Sequence, residues 1–367
     1  MPATKIVVNL NDAPSYDVRI GSGILDGIGE RVKAGIPVAS SALLLTDSNV
    51  GPLYAARVQQ SLKAAGLSTT LITIPAGETS KTTDCVNEIW AAMAQAKLDR
   101  DCVVLGLGGG VVGDIAGFVA ASYMRGVHLV QLPTSLLAMV DSSVGGKCGI
   151  NLSEGKNLVG AFKQPAYVCA DTSTLDTLPD REWKSACAEI AKMAILASDD
   201  FYFWLEDHAE ALAAREAGLV QDAITKCVVY KADLVATDVF DRHGLRACLN
   251  YGHTLGHAIE TLAGYGTYSH GEAVAEGMRF AARLGAAVVG TPLELVQAQD
   301  AVLDTLGLAS LDFSAEPDQL IATLRGDKKA SRDGINFVLL KDVGECVLQR
   351  VDEETLEEHL SAWARSK

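Results

Sequence analysis

The chain predicts an α/β N-terminal domain, Rossmann-like and built on a mostly parallel sheet, followed by a mainly α-helical C-terminal domain. Three observations carry that expectation. Strand-like apolar runs alternate with helical patterns through the first half, the alternation that builds a parallel sheet covered by helices on both faces. From Arg181 to about Gly307 the apolar period turns helical and strand signals almost vanish. The 367 residues suffice for about two domains with cores of their own. A boundary near Pro179 divides the chain into 1–178 and 179–367.

Taken in order, "KIVVNL" and "YDVRI" are short strands, and "SALLLTDSNV" is a buried strand ending in polar residues before the helical "PLYAARVQQSLKAAG". "STTLITIPAG" is the next strand, followed by the helix "SKTTDCVNEIWAAMAQAKL", for which Ser80 is the expected opening residue. "DCVVLGLGGG" runs as a strand into glycines, with a helix expected from about Asp114, and "VHLVQLP" is one more strand. In the second half "EWKSACAEIAKMAIL", "LVQDAITKCVVYKADLVATD", "HTLGHAIETLA" and "GEAVAEGMRFAARLGAAVV" have helical period, while "INFVLL" and "CVLQRV" flank "KDVGE" as a small hairpin. There are no internal repeats or low-complexity tracts.

With 49% hydrophobic and 21% charged residues, the composition is that of a globular protein. A net charge of -15 argues against nucleic acid or an anionic membrane as partner, since both require a basic face. Eight scattered cysteines, at 85, 102, 148, 169, 187, 227, 248 and 346, form no C-x-x-C pair. They read as buried thiols of a reducing cytosol rather than a disulfide framework or a thiolate zinc site. The N-terminal residues lack a signal-peptide pattern and no apolar run approaches a membrane span, so a cytoplasmic protein is expected.

Three stretches carry chemistry. "VVLGLGGGVVGDIAG" contains G-x-G-x-x-G at Gly108–Gly113 between a strand and a helix, where bare backbone N–H groups can approach a pyrophosphate. A tight structural turn would need the same glycines. A plain Rossmann unit places an acid about twenty residues on, but that region is "GVHLVQLP"; the better candidate, Asp47, comes earlier in the chain. The first domain therefore reads as a related but distinct nucleotide-binding domain. Next, "VDSSVGGKCGINLSEGKN" holds the pairs Gly146-Lys147 and Gly155-Lys156 with Asp141 and Asn157, a loop suited to phosphate or carboxylate, against the plainer alternative of a solvated turn. Finally, His253 and His257 share a helix face at i, i+4, and His270 follows closely. Thr254 stands where a zincin has its glutamate. Two neutral imidazoles and one carboxylate make a zinc site with an open position, whereas a lone histidine would only bond a backbone carbonyl. The acid is open among Glu260, Glu272 and the distant Glu189, which has Lys192 on its own helix face.

"GLGGGVVGDIAGFVAASYMRGV", "QLPTSLLAMVDSSVGGKCGIN", "GKNLVGAF", "AEIAK", "RACLNYGHTLGHAIE", "HGEAVAEGM" and "DKK" together resemble the 3-dehydroquinate synthase family, in the family's order, from Asp47 to about Lys329. The resemblance implies a dehydroquinate synthase-like fold, NAD and one divalent metal, Zn2+ or Co2+, held by Glu189, His253 and His270. NAD would meet Asp47, Ser48, Asn49, Glu78, Lys81, Gly109, Gly110, Val111, Asp114, Thr134, Ser135 and Thr177, with Asp141, Lys147 and Lys156 also near the cofactor. The implied substrate, 3-deoxy-D-arabino-heptulosonate 7-phosphate, would meet Asp141, Lys147, Lys156, Asn157, Lys192, Lys231, Arg246, Asn250, His257 and Lys328, preferred to Lys329. Arg125 would reach a neighbour's phosphate across a homodimer interface. Lys192, His257, Asn250, Asp141 and Arg246 carry the implied catalytic roles. "TDVFDRHGLR" lacks a glutamate usual in the family, and "SACAEIAKMAI" has unusual neighbours; both imply altered packing rather than lost chemistry. The rival readings are a cyclase acting on another sugar phosphate, a metal-dependent NAD polyol dehydrogenase, and a non-catalytic scaffold.

Overall fold

Two units make up the chain, Met1–Leu178 with Val220–Arg242, and Pro179–Leu219 with His243–Lys367. The computed structural model describes residues 2–241, 244–264, 266–326, 330–331 and 334–367. The first unit contains strands β1 (Thr4–Val8), β2 (Tyr16–Gly21), β3 (Ser41–Asp47), β4 (Ser68–Ile74), β5 (Val103–Gly108), β6 (His128–Pro133), β7 (Lys147–Leu152), β8 (Gly155–Phe162) and β9 (Tyr167–Asp171). Seven of them form one sheet in the order β1-β2-β9-β6-β5-β3-β4. Every pairing in it is parallel except β1 with β2.

Helices α1 (Ile28–Gly35), α2 (Gly51–Ala64), α3 (Thr83–Gln95) and α4 (Gly110–Ser122) clothe this sheet. The run of leucines in β3 explains how: Leu44 joins Val58 and Leu62 of α2 in one core, whereas Leu43 and Leu45 join Ile89 and Met93 of α3 in the other. Alternate side chains of a strand leave opposite faces, so a strand covered on both sides is apolar throughout.

The second unit holds α5 (Asp180–Ala197), α6 (Asp199–Ala213), α8 (His253–Ala263), α9 (His270–Val288), α10 (Leu293–Thr305), α11 (Pro317–Gly326) and α12 (Glu353–Arg365). A small sheet, β10 (Ala330–Ser331), β11 (Gly334–Asp342) and β12 (Glu345–Val351), includes the expected hairpin. Helix α7 (Ala217–Thr237) corrects the division at 179. From Val220 it belongs to the first unit, where Gln221 Nε2 donates to Pro2 O and Thr4 Oγ1, both at 3.1 Å. Helical period reports which face of a helix is apolar, not which core receives it.

Four further expectations are corrected. Helix α3 opens at Thr82, whose side chain accepts from Cys85 N, while Ser80 donates to Pro75 O at 2.6 Å in the preceding 3-10 turn. Helix α4 starts at Gly110, a turn earlier than Asp114. Lys147, Gly155 and Lys156 lie on the antiparallel hairpin β7–β8 rather than in a loop, and Gly146 immediately precedes it. Cys248 and Cys346, 98 positions apart, form a disulfide with Cα atoms 6.2 Å apart. No local spacing signals a pair assembled from the 3-10 turn Leu245–Asn250 and β12. Among the described residues no helix is long and apolar enough to cross a membrane.

Candidate metal centre and nucleotide site

In the first unit the strand order reverses between β3 and β5. The chain passes from β3 outward to the edge strand β4, then returns to β5 on the other side of β3 and continues to β6. Such a reversal opens a crevice at the carboxyl ends of the strands, where α/β sheets bind ligands. Thr46 of β3 is level with Leu107 of β5, so Asp47 and the glycines after Leu107 end neighbouring strands. The reversed order of acid and glycines along the chain thus becomes adjacency in space.

The loops at this edge are tightly held. Asp47 Oδ1 accepts from Asn49 N at 2.8 Å and Val50 N at 2.9 Å, and Ser48 Oγ accepts from Ala76 N at 3.1 Å. Gly109 caps α4, leaving the N–H groups of Gly110 and Val111 at a helix N-terminus that favours anions. Thr134 N bonds Gly108 O at 2.9 Å, just before Ser135, and Thr177 Oγ1 lies 2.7 Å from Tyr54 Oη.

Below this crevice Lys81, buried, donates to Asp114 Oδ2 at 2.7 Å and Asn157 Oδ1 at 2.5 Å. Burial raises the Asp114 pKa, and Lys81 opposes the shift without cancelling it. Asn151, missed in the sequence, organises this cluster: it donates to Glu78 Oε1 at 2.8 Å and accepts from Asn157 N at 2.8 Å. Lys231, buried on α7, donates to the backbone carbonyl of Asp141 and to its Oδ1 at 2.5 Å. Lys147 pairs with Asp241, a second residue the sequence reading overlooked. Both omissions have one cause: an Asn or Asp inside a polar segment has no period that marks it. Lys147 faces Phe162 at the open end of the hairpin, whereas Lys156 follows Gly155 at its turn, so the two lysines do not form one cluster. Arg125, exposed, precedes β6 at the amino end of the sheet, roughly 20 Å of strand from Thr134. The first unit does not bring it to the crevice.

In the second unit three helices meet around the acids that the sequence left open. Glu272 is occupied as the third residue of a capping box: Ser269 Oγ accepts from Glu272 N, and the Glu272 carboxylate accepts from Ser269 N at 2.6 Å. Glu189 of α5 is instead only 1% exposed, and its Oε1 lies 3.7 Å from both His253 Nε2 and His270 Nε2. All three donor atoms lie within 4.8 Å of one another. Ligand atoms around a tetrahedral zinc at ~2.1 Å are roughly 3.4 Å apart, so a small contraction closes the set on an ion.

Close helix crossings produce this convergence. A Cβ on Gly277 of α9 would sit 1.8 Å from Gly252 O, before α8, and one on Gly271 would sit 1.9 Å from Ser185 O of α5. Only glycine allows those backbones to touch. Gly252 itself has φ 78° and turns the chain into α8 at His253. The imidazole nitrogens are sorted as well. His253 Nδ1 lies 3.1 Å from Tyr251 O and His270 Nδ1 lies 3.3 Å from Glu260 Oε2, leaving each Nε2 toward Glu189.

Glu189 Oε1 has no hydrogen-bond partner among the described residues. The Lys192 ammonium, 2% exposed, lies against Oε2 as a countercharge. A buried carboxylate with unfilled lone pairs is costly unless a cation fills them, so the donor set fits a divalent metal. Burial, and then the positive charge of Lys192, holds the His253 pKa well below its ordinary value, keeping the ring neutral for ligation. Burial also acts to lower His270, but Glu260 and Glu189 outweigh it and the net shift is upward. His257, exposed on the same face of α8, has its ring 5.4 Å from that of His253. Arg246, buried, and Asn250 lie on the 3-10 turn before α8. Lys328 and Lys329 lie outside the described residues.

Residues 71–185 match the model of the 3-dehydroquinate synthase N-terminal domain, and residues 186–330 that of the C-terminal domain. The chain belongs to the 3-dehydroquinate synthase family. A family member from Acidithiobacillus ferrooxidans, named 3-dehydroquinate synthase, is 46% identical over 345 residues, 91% of each chain. A solved 2-deoxy-scyllo-inosose synthase, complexed with carbaglucose-6-phosphate, NAD+ and Co2+, shares the fold with a TM-score of 0.88 at 27% identity, over 98% of this chain and 99% of its own. The 2-epi-5-epi-valiolone synthase of Streptomyces hygroscopicus, with NAD+ and Zn2+ bound, gives 0.86 at 26% identity, over 97% and 98%.

Proposed function

We propose that this enzyme converts 3-deoxy-D-arabino-heptulosonate 7-phosphate to 3-dehydroquinate and phosphate, as a carbon–oxygen lyase using NAD and one divalent metal, zinc or cobalt. The observation that carries this reading is the buried Glu189 carboxylate facing two imidazole nitrogens, with Lys192 as its countercharge. When bound, NAD supplies a reversible hydride acceptor and the metal a Lewis acid for substrate hydroxyls. The substrate chemistry is redox-neutral overall. Oxidation at C5 acidifies C6–H, the C6 proton and the C7 phosphate then leave, and C5 is reduced again; the ring opens by breaking the bond from C2 to the ring oxygen, which leaves an enolate at C6–C7 whose C7 attacks the freed C2 carbonyl.

The chain's own residues bind, orient and move protons. Glu189, His253 and His270 hold the metal. Asp47, the α4 N-terminus and Lys81 belong to the NAD site, as do Glu78, Asp114 and Thr177. Arg246 offers a planar fork for the substrate carboxylate. Lys147 and Asn157 supply phosphate contacts against the acidic background of the chain, Lys156 serves the cofactor side, Lys231 holds Asp141 in place, and Arg125 serves the partner in a homodimer. Lys192, His257 and Asn250 exchange protons at the substrate hydroxyl oxygens, a contribution typically of about 10²–10⁴ in rate. A cytoplasmic location belongs to the same proposal.

The test is incubation with the heptulosonate phosphate and catalytic NAD, with and without chelator. Chelator-sensitive phosphate release without net NADH supports the synthase. NADH accumulating with turnover, without phosphate, would instead identify a polyol dehydrogenase. His270→Ala is expected to lose metal and activity together; a fully metallated, fully active variant refutes the ligand set.

A further inference from the structure

One of the three acids considered for the metal is neither a ligand nor a cap. We propose that Glu260 is a positioning residue: its carboxylate accepts the Nδ1 proton of His270 and thereby holds the ring with Nε2 aimed at the metal. The inference rests on the assignment of Glu189, His253 and His270 as ligands. His253, His257 and Glu260 are spaced i, i+4, i+7 on α8, so they share one face. That face meets the first residue of α9, His270, whose Nδ1 is 3.3 Å from Glu260 Oε2. The Glu260 side chain is only 11% exposed, so the contact is poorly screened by water.

The two histidines are oriented by different means. His253 has a backbone carbonyl behind it, at a position set by the helix start. His270 has a charged acceptor, which raises the basicity of its metal-binding nitrogen.

His257, Glu260 and His270 also lie close enough to form a cation site of their own. That arrangement needs His270 to ligate through Nδ1 while Nε2 serves the first ion, and hence to lose both ring protons. Neutral imidazole offers only one lone-pair nitrogen, which favours the positioning role.

The test is metal affinity, measured by chelator competition on the full chain loaded with Co2+ or Zn2+. Removing such a partner typically weakens binding about 10–100-fold. Glu260→Ala is therefore expected to raise the metal dissociation constant by about that factor, and Glu260→Gln, whose carbonyl oxygen still accepts the proton, to raise it by less. Nitrogen NMR of His270 in the zinc-loaded protein should show an Nδ1-protonated ring. An Ala variant within about twofold of the wild type would overturn the proposal. So would two ions per protomer falling to one on substitution, which would make Glu260 a ligand. If the Ala variant fails to fold, Glu260→Gln and the wild-type ring decide: a rise of a few-fold in the dissociation constant with an Nδ1-protonated ring supports the orienting contact, whereas unchanged affinity or an Nε2-protonated wild-type ring overturns it. Wild-type protein that binds no metal refutes the ligand assignment itself, a result distinct from unchanged affinity in a Glu260 variant.

Discussion

Glu189→Gln separates the proposed duty of the buried carboxylate, holding a metal, from its observed one, neutralising Lys192. The substitution preserves shape and removes one charge. Glu189 and Lys192 are 1% and 2% exposed, so little water is available to compensate the ammonium left behind. Removing one partner of a buried pair typically costs about 3–5 kcal/mol. Taking the proton off an ammonium at neutral pH costs about 4–5 kcal/mol from solution values, which sets a similar ceiling. Urea unfolding of metal-stripped proteins should therefore show Glu189→Gln about 3–5 kcal/mol less stable than wild type. Adding Lys192→Met should recover most of that loss, because the charge without a partner is then gone. With metal supplied, the Gln variant should bind it at least about tenfold more weakly. A single variant within about 1 kcal/mol of wild type, or a double variant no more stable than the single, would refute the isolated buried pair.

Gly277→Ala is expected to destabilise the protein by about 3 kcal/mol and to weaken metal binding, because its Cβ would overlap Gly252 O and push α8 from α9; thermal unfolding and metal titration check both. Breaking the Cys248–Cys346 link with Cys248→Ser, or with a dithiol, is expected to lower stability by about 2–4 kcal/mol. It should also raise KM, since Cys248 lies between Arg246 and Asn250; an unchanged melting temperature would count against the link. Burial acts to raise the Glu276 pKa, but Lys367, Trp363 and Leu311 N bond the carboxylate and bring it below its ordinary 4.5. A depressed carboxylate stabilises the fold above the unfolded-state pKa, and that stability is lost as pH falls through the folded value. Glu276→Gln should accordingly flatten the acid limb of stability below about pH 4.5, measured by circular dichroism.

How far the candidate site was readable from sequence differs residue by residue. His253, His257 and His270 announced themselves by spacing, and the glycines before α4 by following an apolar strand. Glu189 was visible only as an acid on an apolar helix, and the choice among it, Glu260 and Glu272 required the helix crossing at Gly271 and the capping box at Ser269. Asn151 and Asp241 gave no signal, because their contacts depend on the hairpin β7–β8 and on the end of α7.

By itself the sequence determined a mostly parallel sheet, a helical second half, a glycine turn into a helix and a cluster of imidazoles. Each of these is written in the period or residue type of one continuous segment. Tertiary structure alone decided that β3 and β5 are neighbours, that α7 from Val220 belongs with the first unit, that Cys248 meets Cys346, and which acid faces the imidazoles. Those outcomes depend on which backbones can approach closely enough to touch, a property of pairs of segments far apart in the chain that no local pattern encodes.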